Sequence, residues 1–478
     1  MKDLEFCVPC LFGLEGLVGD ELKRLGCEGV RVEDRRVFFT GDFADLAKVN
    51  LCCRMGERVM ILLSEFDAHS FEDLFQGVKA TPLERFIPKD GAFPVKGYSL
   101  DSQLHSVPDC QAIVKKAAVT RLGEKYGLGW MPETGAAYQI RFSIMKDECE
   151  VFLDTSGVSL HKRGYRQIAN LAPLHETMAA AMVNLARYRG RDFFWDPFCG
   201  SGTICIEAAL IALNRAPGLH RSFAAEKWSC VPAEVWRQAR TEAMDREFRG
   251  DYHILGSDID PASLDIAREN ARKAGVAKLI EFREADATKM SLPTDKGLIV
   301  CNPPYGERML EQRSAQRLYQ AFGRHIKYAD GWKKYIISSE PEFEHYFGRQ
   351  AVKIQSQIAQ RLVCTHAARG RGQPIQREPF GIGQAALAEQ FLDFGQRGRG
   401  VGVQAVHRAA APQAVLIQLE PLARDTAELH TAKTSVARGQ RRIPIRGRLG
   451  VPKLHREPPL TVFNQMCYFL STFRRILR

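Results

Sequence analysis

Asn302-Pro303-Pro304-Tyr305 follows an apolar run, Gly297–Cys301, that reads as a buried parallel strand. A strand that runs straight into this tetrapeptide can do one kind of chemistry well. An exocyclic amine on a nucleobase is a poor nucleophile, because its lone pair is delocalised into the ring. The Asn302 side-chain oxygen and the Pro303 carbonyl can each accept one of its N–H bonds. Two acceptors at fixed angles favour the pyramidal geometry that appears on the way to the transition state. The prolines stiffen the turn and remove competing donors, and Tyr305 offers a flat face to a base. Four residues alone fit a polar turn after a strand equally well.

Three other stretches carry polar groups at strand ends. Asp196-Pro-Phe198-Cys-Gly200-Ser201-Gly202-Thr203 closes one apolar run and opens a helix, so a ligand can approach the glycine backbone while the helix N-terminus favours an anion. No Gly-Lys-Ser/Thr follows, which excludes a phosphate P-loop, and no third glycine completes a dinucleotide fingerprint. Gly256-Ser-Asp258-Ile-Asp260 closes the next run. An acid at that strand end typically accepts both hydroxyls of a ribose, and Asp258 is placed for it, whereas Asp260 before Pro261 reads as a helix cap. Asp286, in Glu284-Ala-Asp286-Ala287, can accept from an adenine amino group or cap a turn.

The elements that must position these residues follow from hydrophobic periodicity. Residues 175–350 alternate strand and helix as a doubly wound sheet does, with strands at Phe193–Asp196, His253–Asp258, Leu279–Glu284, Gly297–Cys301 and Trp332–Ser338. Such a sheet binds ligand at the carboxyl ends of its strands, where all four stretches fall. Residues 1–66 show a β-α-β-β-α-β order that predicts a ferredoxin-like unit. Residues 67–156 form a second α+β unit whose helix Cys110–Tyr126 carries Lys115 and Lys116. Residues 157–174 are a basic connector, where Lys162, Arg163, Tyr165 and Arg166 suit phosphate contact and base stacking, or simply a solvated linker.

Composition narrows the setting. The chain has 478 residues, enough for about three domains. No apolar run reaches the roughly 18 residues of a transmembrane helix, and the charged N-terminus lacks a signal-peptide core. Thirteen cysteines without a regular framework suit a reducing cytoplasm. Cys7 and Cys10 form a CxxC with no second CxxC or paired histidines at ligand spacing, so no metal is expected. Residues 351–478 hold 20 Lys+Arg against 7 Asp+Glu, which leaves 47 against 49 of the totals 67 and 56 for residues 1–350. The basic balance therefore belongs to the last quarter, and nucleic-acid affinity elsewhere must come from local patches.

DPFCGSGT, GSDID, EADA and NPPY, in this order, resemble the class I S-adenosylmethionine-dependent methyltransferases that act on exocyclic amines. GYSLDSQLHSVPDCQAIVKKAAVTRL resembles a THUMP domain, an RNA-binding module. LDTSGVSLHKRGYR and APLHETMAAA resemble the joint of bacterial THUMP methyltransferases. The members most similar to it methylate N2 of a guanine in large-subunit (23S) rRNA and were formerly labelled N6-adenine-specific DNA methylases. The resemblance implies a Rossmann-like class I sheet preceded by α+β ferredoxin-like and THUMP domains. It implies S-adenosylmethionine as cofactor, with Asp196 and Gly200–Gly202 at the methionine moiety, Asp258 at the ribose and Asp286 at the adenine. Phe198, Ser201, Thr203 and Ala287 belong to the same pocket. Asn302 and Pro303 would orient the amine and Tyr305 would stack on the base, with RNA held by Lys115, Lys116, Lys162, Arg163, Tyr165 and Arg166. A tRNA guanine-N2 enzyme, a DNA adenine-N6 enzyme and a non-catalytic RNA-binding factor are the competing readings.

The resemblance covers residues 1–353 and then stops. A strand hairpin should complete the sheet there. Instead residues 351–478 form an Arg/Gln-rich tract with 17 Arg against 3 Lys. Two origins are compatible with such a tract, a disordered RNA-binding tail or translation out of frame from about codon 353. The abruptness of the change favours the second, which would leave the fifth strand as an exposed edge.

Overall fold

The computed structural model describes residues 3–166, 174–305, 309–326, 328–351, 353–356 and 415–419. The N-terminal half runs β1 (Leu4–Pro9), α1 (Glu15–Arg24), β2 (Glu28–Glu33), β3 (Arg36–Gly41), α2 (Phe43–Cys52), β4 (Met60–Asp67), α3 (Phe71–Ala80), β5 (Val95–Leu100), α4 (Val107–Tyr126), β6 (Gln139–Met145) and β7 (Glu148–Asp154). The two α+β units expected on either side of residue 66 share one seven-stranded sheet, ordered β2-β3-β1-β4-β7-β6-β5. β4 pairs antiparallel with β7 from Met60↔Asp154 to Asp67↔Glu148, so the seam runs through the sheet itself. Arg36 of β3 reaches Glu150 of β7 across it, and Ser143 of β6 donates to the same carboxylate at 2.7 Å.

The catalytic half follows with α5 (Glu176–Leu185), β8 (Phe194–Asp196), α6 (Thr203–Ala212), α7 (Ala233–Asp245), β9 (Ile254–Asp258), α8 (Pro261–Lys273), β10 (Ile280–Glu284), β11 (Gly297–Cys301), α9 (Met309–Ile326), β12 (Trp332–Ser338) and α10 (Phe343–Phe347). The core strands are apolar on both faces, as a sheet covered by helices on both sides requires. Phe194, Leu298 and Val300 pack with α5 and α6, while Trp195, Ile299 and Cys301 pack with Tyr319 and Phe322 of α9. At α8 the expected cap is present: Asp260 accepts the N–H groups of Ala262 and Ser263, both at 3.1 Å, ahead of Pro261.

The sheet order is β10-β9-β8-β11-β12-β14-β13, where β13 is Lys353–Ser356 and β14 is Val415–Leu419. β14 lies antiparallel between β12 and β13, from Lys334↔Leu419 to Ser338↔Val415. This corrects two expectations. The fifth strand is not an exposed edge, and the catalytic sheet does not end at residue 350. The physical reason is that Val415-Leu-Ile-Gln-Leu419, an apolar β-prone run, sits inside a polar tract and can pair with β12 whatever its surroundings. The rest of the tract, residues 357–414 and 420–478, lies outside the described residues, as does its reading as a tail. Among the described residues no helix is long and apolar enough to cross a membrane.

Candidate active site

β10, β9, β8 and β11 are parallel neighbours, so Glu284, Asp258, Asp196 and Cys301 end on one edge of the sheet. The chain turns outward in opposite directions from β8, which makes this edge the switch point of the sheet. Asp196 is 1% exposed, and its carboxylate accepts the Phe198 N–H at 3.1 Å. Burial pushes its carboxyl well above the usual range, against the lowering effect of that N–H and with Asp258 adding to the rise. The loop then lies along β9: the Cys199 N–H donates to the Ser257 carbonyl at 3.0 Å and the Gly200 N–H to Asp258 Oδ2 at 2.8 Å. Asp258 Oδ1 accepts the Asp260 N–H at 3.0 Å, so both carboxylate oxygens are oriented by backbone.

Two glycines make this loop possible. Gly200 (φ +49°) and Gly202 (φ +81°) both adopt left-handed backbone. A Cβ on Gly202 would lie 3.0 Å from Ala267 Cβ and 3.2 Å from Phe282 Cζ, whereas one on Gly200 would meet nothing within 4 Å. The loop is therefore pressed against α8 at one glycine and faces open space at the other. Ser201 and Thr203 are buried, and the Ser201 carbonyl accepts from Asn270 of α8 at 3.1 Å. Beyond β10, Asp286 accepts the Thr288 hydroxyl at 2.6 Å, Lys289 Nζ at 2.9 Å and the Thr288 N–H at 2.9 Å, which together hold it at about 2. Ala287 is buried beside it. Ile259, between the two acids of GSDID, is 70% exposed. It presents a large apolar surface beside the edge, and an apolar residue between two strand-end acids is the sequence signal that could have singled it out.

At the end of β11, Pro303 is buried, Asn302 and Tyr305 are half-buried and Pro304 is exposed. The Pro304 carbonyl accepts from Tyr319 of α9 at 2.8 Å, which anchors the turn to a residue that is 1% exposed. Tyr305 is not a free platform for a base. Its hydroxyl donates to Asn302 Oδ1, and burial raises the pKa of that hydroxyl. The Tyr305 hydroxyl takes one of the two acceptor positions of Asn302 Oδ1.

The basic residues expected to hold RNA divide into two groups. Lys116 and Lys162 are exposed. Lys115 instead bonds to Glu133 at 2.5 Å and to the Phe93 carbonyl at 3.1 Å, with its ammonium 3.6 Å from the Phe93 ring centroid. Arg163 is 3% exposed, donating to the Leu160 carbonyl at 2.6 Å and to the Arg54 carbonyl, with Nε 3.5 Å from Glu207. Tyr165 is 4% exposed and donates to Glu207 at 3.2 Å. Arg166 donates to the Leu174 carbonyl at 3.0 Å and to Thr203 Oγ1, and lies 3.6 Å from Glu176. For Arg163, Tyr165 and Arg166 the expected phosphate and stacking roles are corrected: the buried acids Glu207 and Glu176 draw them inward as structural links, while Lys115 stays half-buried beside Glu133. Trp130, 73% exposed after α4, is an aromatic face in the same half that the sequence reading passed over. Cys7 and Cys10 are both buried in apolar clusters.

A switch-point edge with a glycine loop, strand-end acids and a strand-end Asn-Pro-Pro-Tyr defines a class I S-adenosylmethionine-dependent methyltransferase. Residues 5–60 match the RlmL ferredoxin-like domain, 68–154 the THUMP domain and 163–368 the RMKL-like methyltransferase domain. A Bacillus subtilis (strain 168) protein named "Putative RNA methyltransferase YpsC" is 41% identical over 356 residues, 74% of this chain and 92% of that protein. The crystal structure of a predicted N6-adenine-specific DNA methylase from Listeria monocytogenes str. 4b F2365 is 44% identical and covers 74% of this chain and 93% of its own, with a TM-score of 0.72. SMU.472, described as "a putative methyltransferase complexed with SAH", is 32% identical over 88% of this chain and 99% of its own, with a TM-score of 0.74. The chain belongs to the THUMP-domain methyltransferases with an RlmL-type ferredoxin-like unit and an RMKL-like catalytic domain. Its cofactor is S-adenosylmethionine. The residues present fit that group: the space over Gly200 admits it, and Asp258, Ile259 and Asp286 offer acceptors and an apolar surface along the edge.

Proposed function

We propose that this chain methylates the exocyclic N2 amine of a guanine in large-subunit (23S) rRNA. The observation that carries the reading is Asn302 at the end of β11, beside the cofactor edge, in a chain whose other half matches a THUMP domain. S-adenosylmethionine supplies an electrophilic methyl group when bound. In this reading Asp196 and the Gly200–Gly202 backbone hold its methionine portion, with Phe198 and Thr203 beside them. Asp258 takes the ribose hydroxyls, Ile259 lies against the purine, and Asp286 with Ala287 meets the adenine edge.

Asn302 Oδ1 and the Pro303 carbonyl each accept one amine N–H, which turns the nitrogen lone pair toward the methyl group. Tyr305 leaves Asn302 as the base arrives and stacks on it. The reaction needs positioning more than a strong base, since the methylated amine is acidic enough to release its proton to water. The target base must be unstacked to reach such a site. Lys116, Lys162 and Trp130 provide exposed charge and an aromatic face for the flanking RNA.

Transfer of tritiated methyl from S-adenosylmethionine to rRNA, tRNA and DNA, followed by nucleoside analysis, tests the assignment. Label as N2-methylguanine in 23S rRNA is expected. Label in tRNA alone, or as N6-methyladenine in DNA, assigns the same chemistry to another substrate, and no label favours a non-catalytic RNA-binding factor.

A further inference from the structure

Away from the methyl-transfer edge, Glu57, His161 and His175 converge from three segments. Glu57 lies between α2 and β4 of the ferredoxin-like unit, His161 in the connector, and His175 immediately before α5 of the catalytic half. One ring nitrogen from each imidazole and one carboxylate oxygen lie within 4.8 Å of one another. His161 Nδ1 is 3.0 Å from Glu57 Oε2, and the two imidazole centroids are 4.5 Å apart with a 32° tilt. Four ligands on a tetrahedral ion with bonds of about 2.0–2.1 Å stand roughly 3.4 Å from one another, so the observed spacings need only small side-chain rotations to match.

The surroundings suit a metal site. Ser159 Oγ donates to Glu57 Oε2 and Thr177 Oγ1 donates to Glu57 Oε1, both at 2.8 Å, and Ser159 Oγ also lies 2.9 Å from His161 Nδ1, so neutral hydroxyls orient the carboxylate beside the imidazole. Glu57 and His161 are half-buried, while His175 is exposed and leaves one side open to water. Two imidazoles and one carboxylate select a borderline divalent ion over magnesium or calcium, which take oxygen ligands. We propose that Glu57, His161 and His175 form a three-ligand site for zinc or a similar divalent cation, with water as fourth ligand. Bound there, the ion ties the ferredoxin-like unit and connector to α5, which packs against the helix that begins at the cofactor loop. The site stands apart from the methyl-transfer reading and does not depend on it.

The test is titration of the full chain, freed of metal by chelator and dialysis, with Co²⁺ and then Zn²⁺. One Co²⁺ per chain is expected, giving the visible bands of a tetrahedral nitrogen–oxygen site without a thiolate-to-cobalt charge-transfer band, and Zn²⁺ should displace it. His175→Ala, an exposed change that should leave the circular dichroism spectrum intact, is expected to weaken Co²⁺ binding at least about tenfold. His161→Ala should do the same. Failure of the wild-type chain to take up Co²⁺ would reduce the cluster to a hydrogen-bonded joint. Uptake unchanged in His175→Ala, or bands from cysteine thiolate, would equally overturn the proposal.

Discussion

The strand-end edge and the connector both present charged residues, and the fold treats them in opposite ways. At the edge, Asp258 is oriented by the N–H groups of Gly200 and Asp260, which fix its carboxylate without a basic side chain. Asp286, farther along the edge, is held instead by the side chains of Thr288 and Lys289. In the connector, Arg163 and Tyr165 turn inward onto Glu207, and Arg166 turns onto Glu176 and Thr203. Asp258 on the edge is oriented by backbone donors, whereas the connector uses buried acids to draw its bases inward. The difference teaches that charge type alone does not mark a binding residue; what matters is whether the partner is main chain at an opening or an opposite charge in the interior.

The contrast breaks most severely at Glu207. Its replacement by alanine leaves Arg163 buried without its acid, and a loss of about 3–5 kcal/mol in unfolding free energy is expected by urea titration. On the edge, Asn302→Ala should lower kcat by about 10²–10³-fold while S-adenosylmethionine binding, read by calorimetry, stays nearly unchanged. Asp258→Ala should act the other way, weakening cofactor affinity by about 1.5–3 kcal/mol, or roughly 10- to 100-fold, because it removes a charged acceptor and leaves two backbone donors unpaired.

Asp196→Asn sharpens the comparison by its sign. Burial raises the Asp196 carboxyl above its ordinary value of 3.8, so its contribution to stability is complete below that value and is lost as pH rises through the raised one. Asparagine keeps an oxygen for the Phe198 N–H but has no charge to bury. The variant should therefore unfold at higher urea than the wild type at neutral pH, with the difference vanishing below about pH 3.8. The smallest effect belongs to the exposed Lys116, where alanine should reduce the salt dependence of RNA binding by about one unit of slope without changing sequence preference.

Much of the catalytic half was legible in the sequence because each strand ends in a polar motif that must lie on one edge once the sheet is parallel. The Asp260–Pro261 succession even identified the cap of α8. What escaped detection depended on partners remote in the chain. Nothing near residue 66 signals that β4 pairs with β7, some 80 residues on. The burial of Arg163 and Tyr165 depends on Glu207, which carries no local sign of its role. His161 and His175 lack the spacing of a local metal motif and meet Glu57 only through the fold. β14 is a five-residue apolar run whose pairing with β12 was obscured by the basic composition around it.

The central claim is that Asn302 presents a guanine amine to the cofactor's methyl group. It is tested most directly by methyl transfer to 23S rRNA lacking the modification, comparing wild type with Asn302→Ala and identifying the product nucleoside. N2-methylguanine formed by the wild type and lost in the variant, with cofactor binding retained, is the expected result. Equal methylation by Asn302→Ala, or a methylated product that carries no label on a guanine amine, would contradict it.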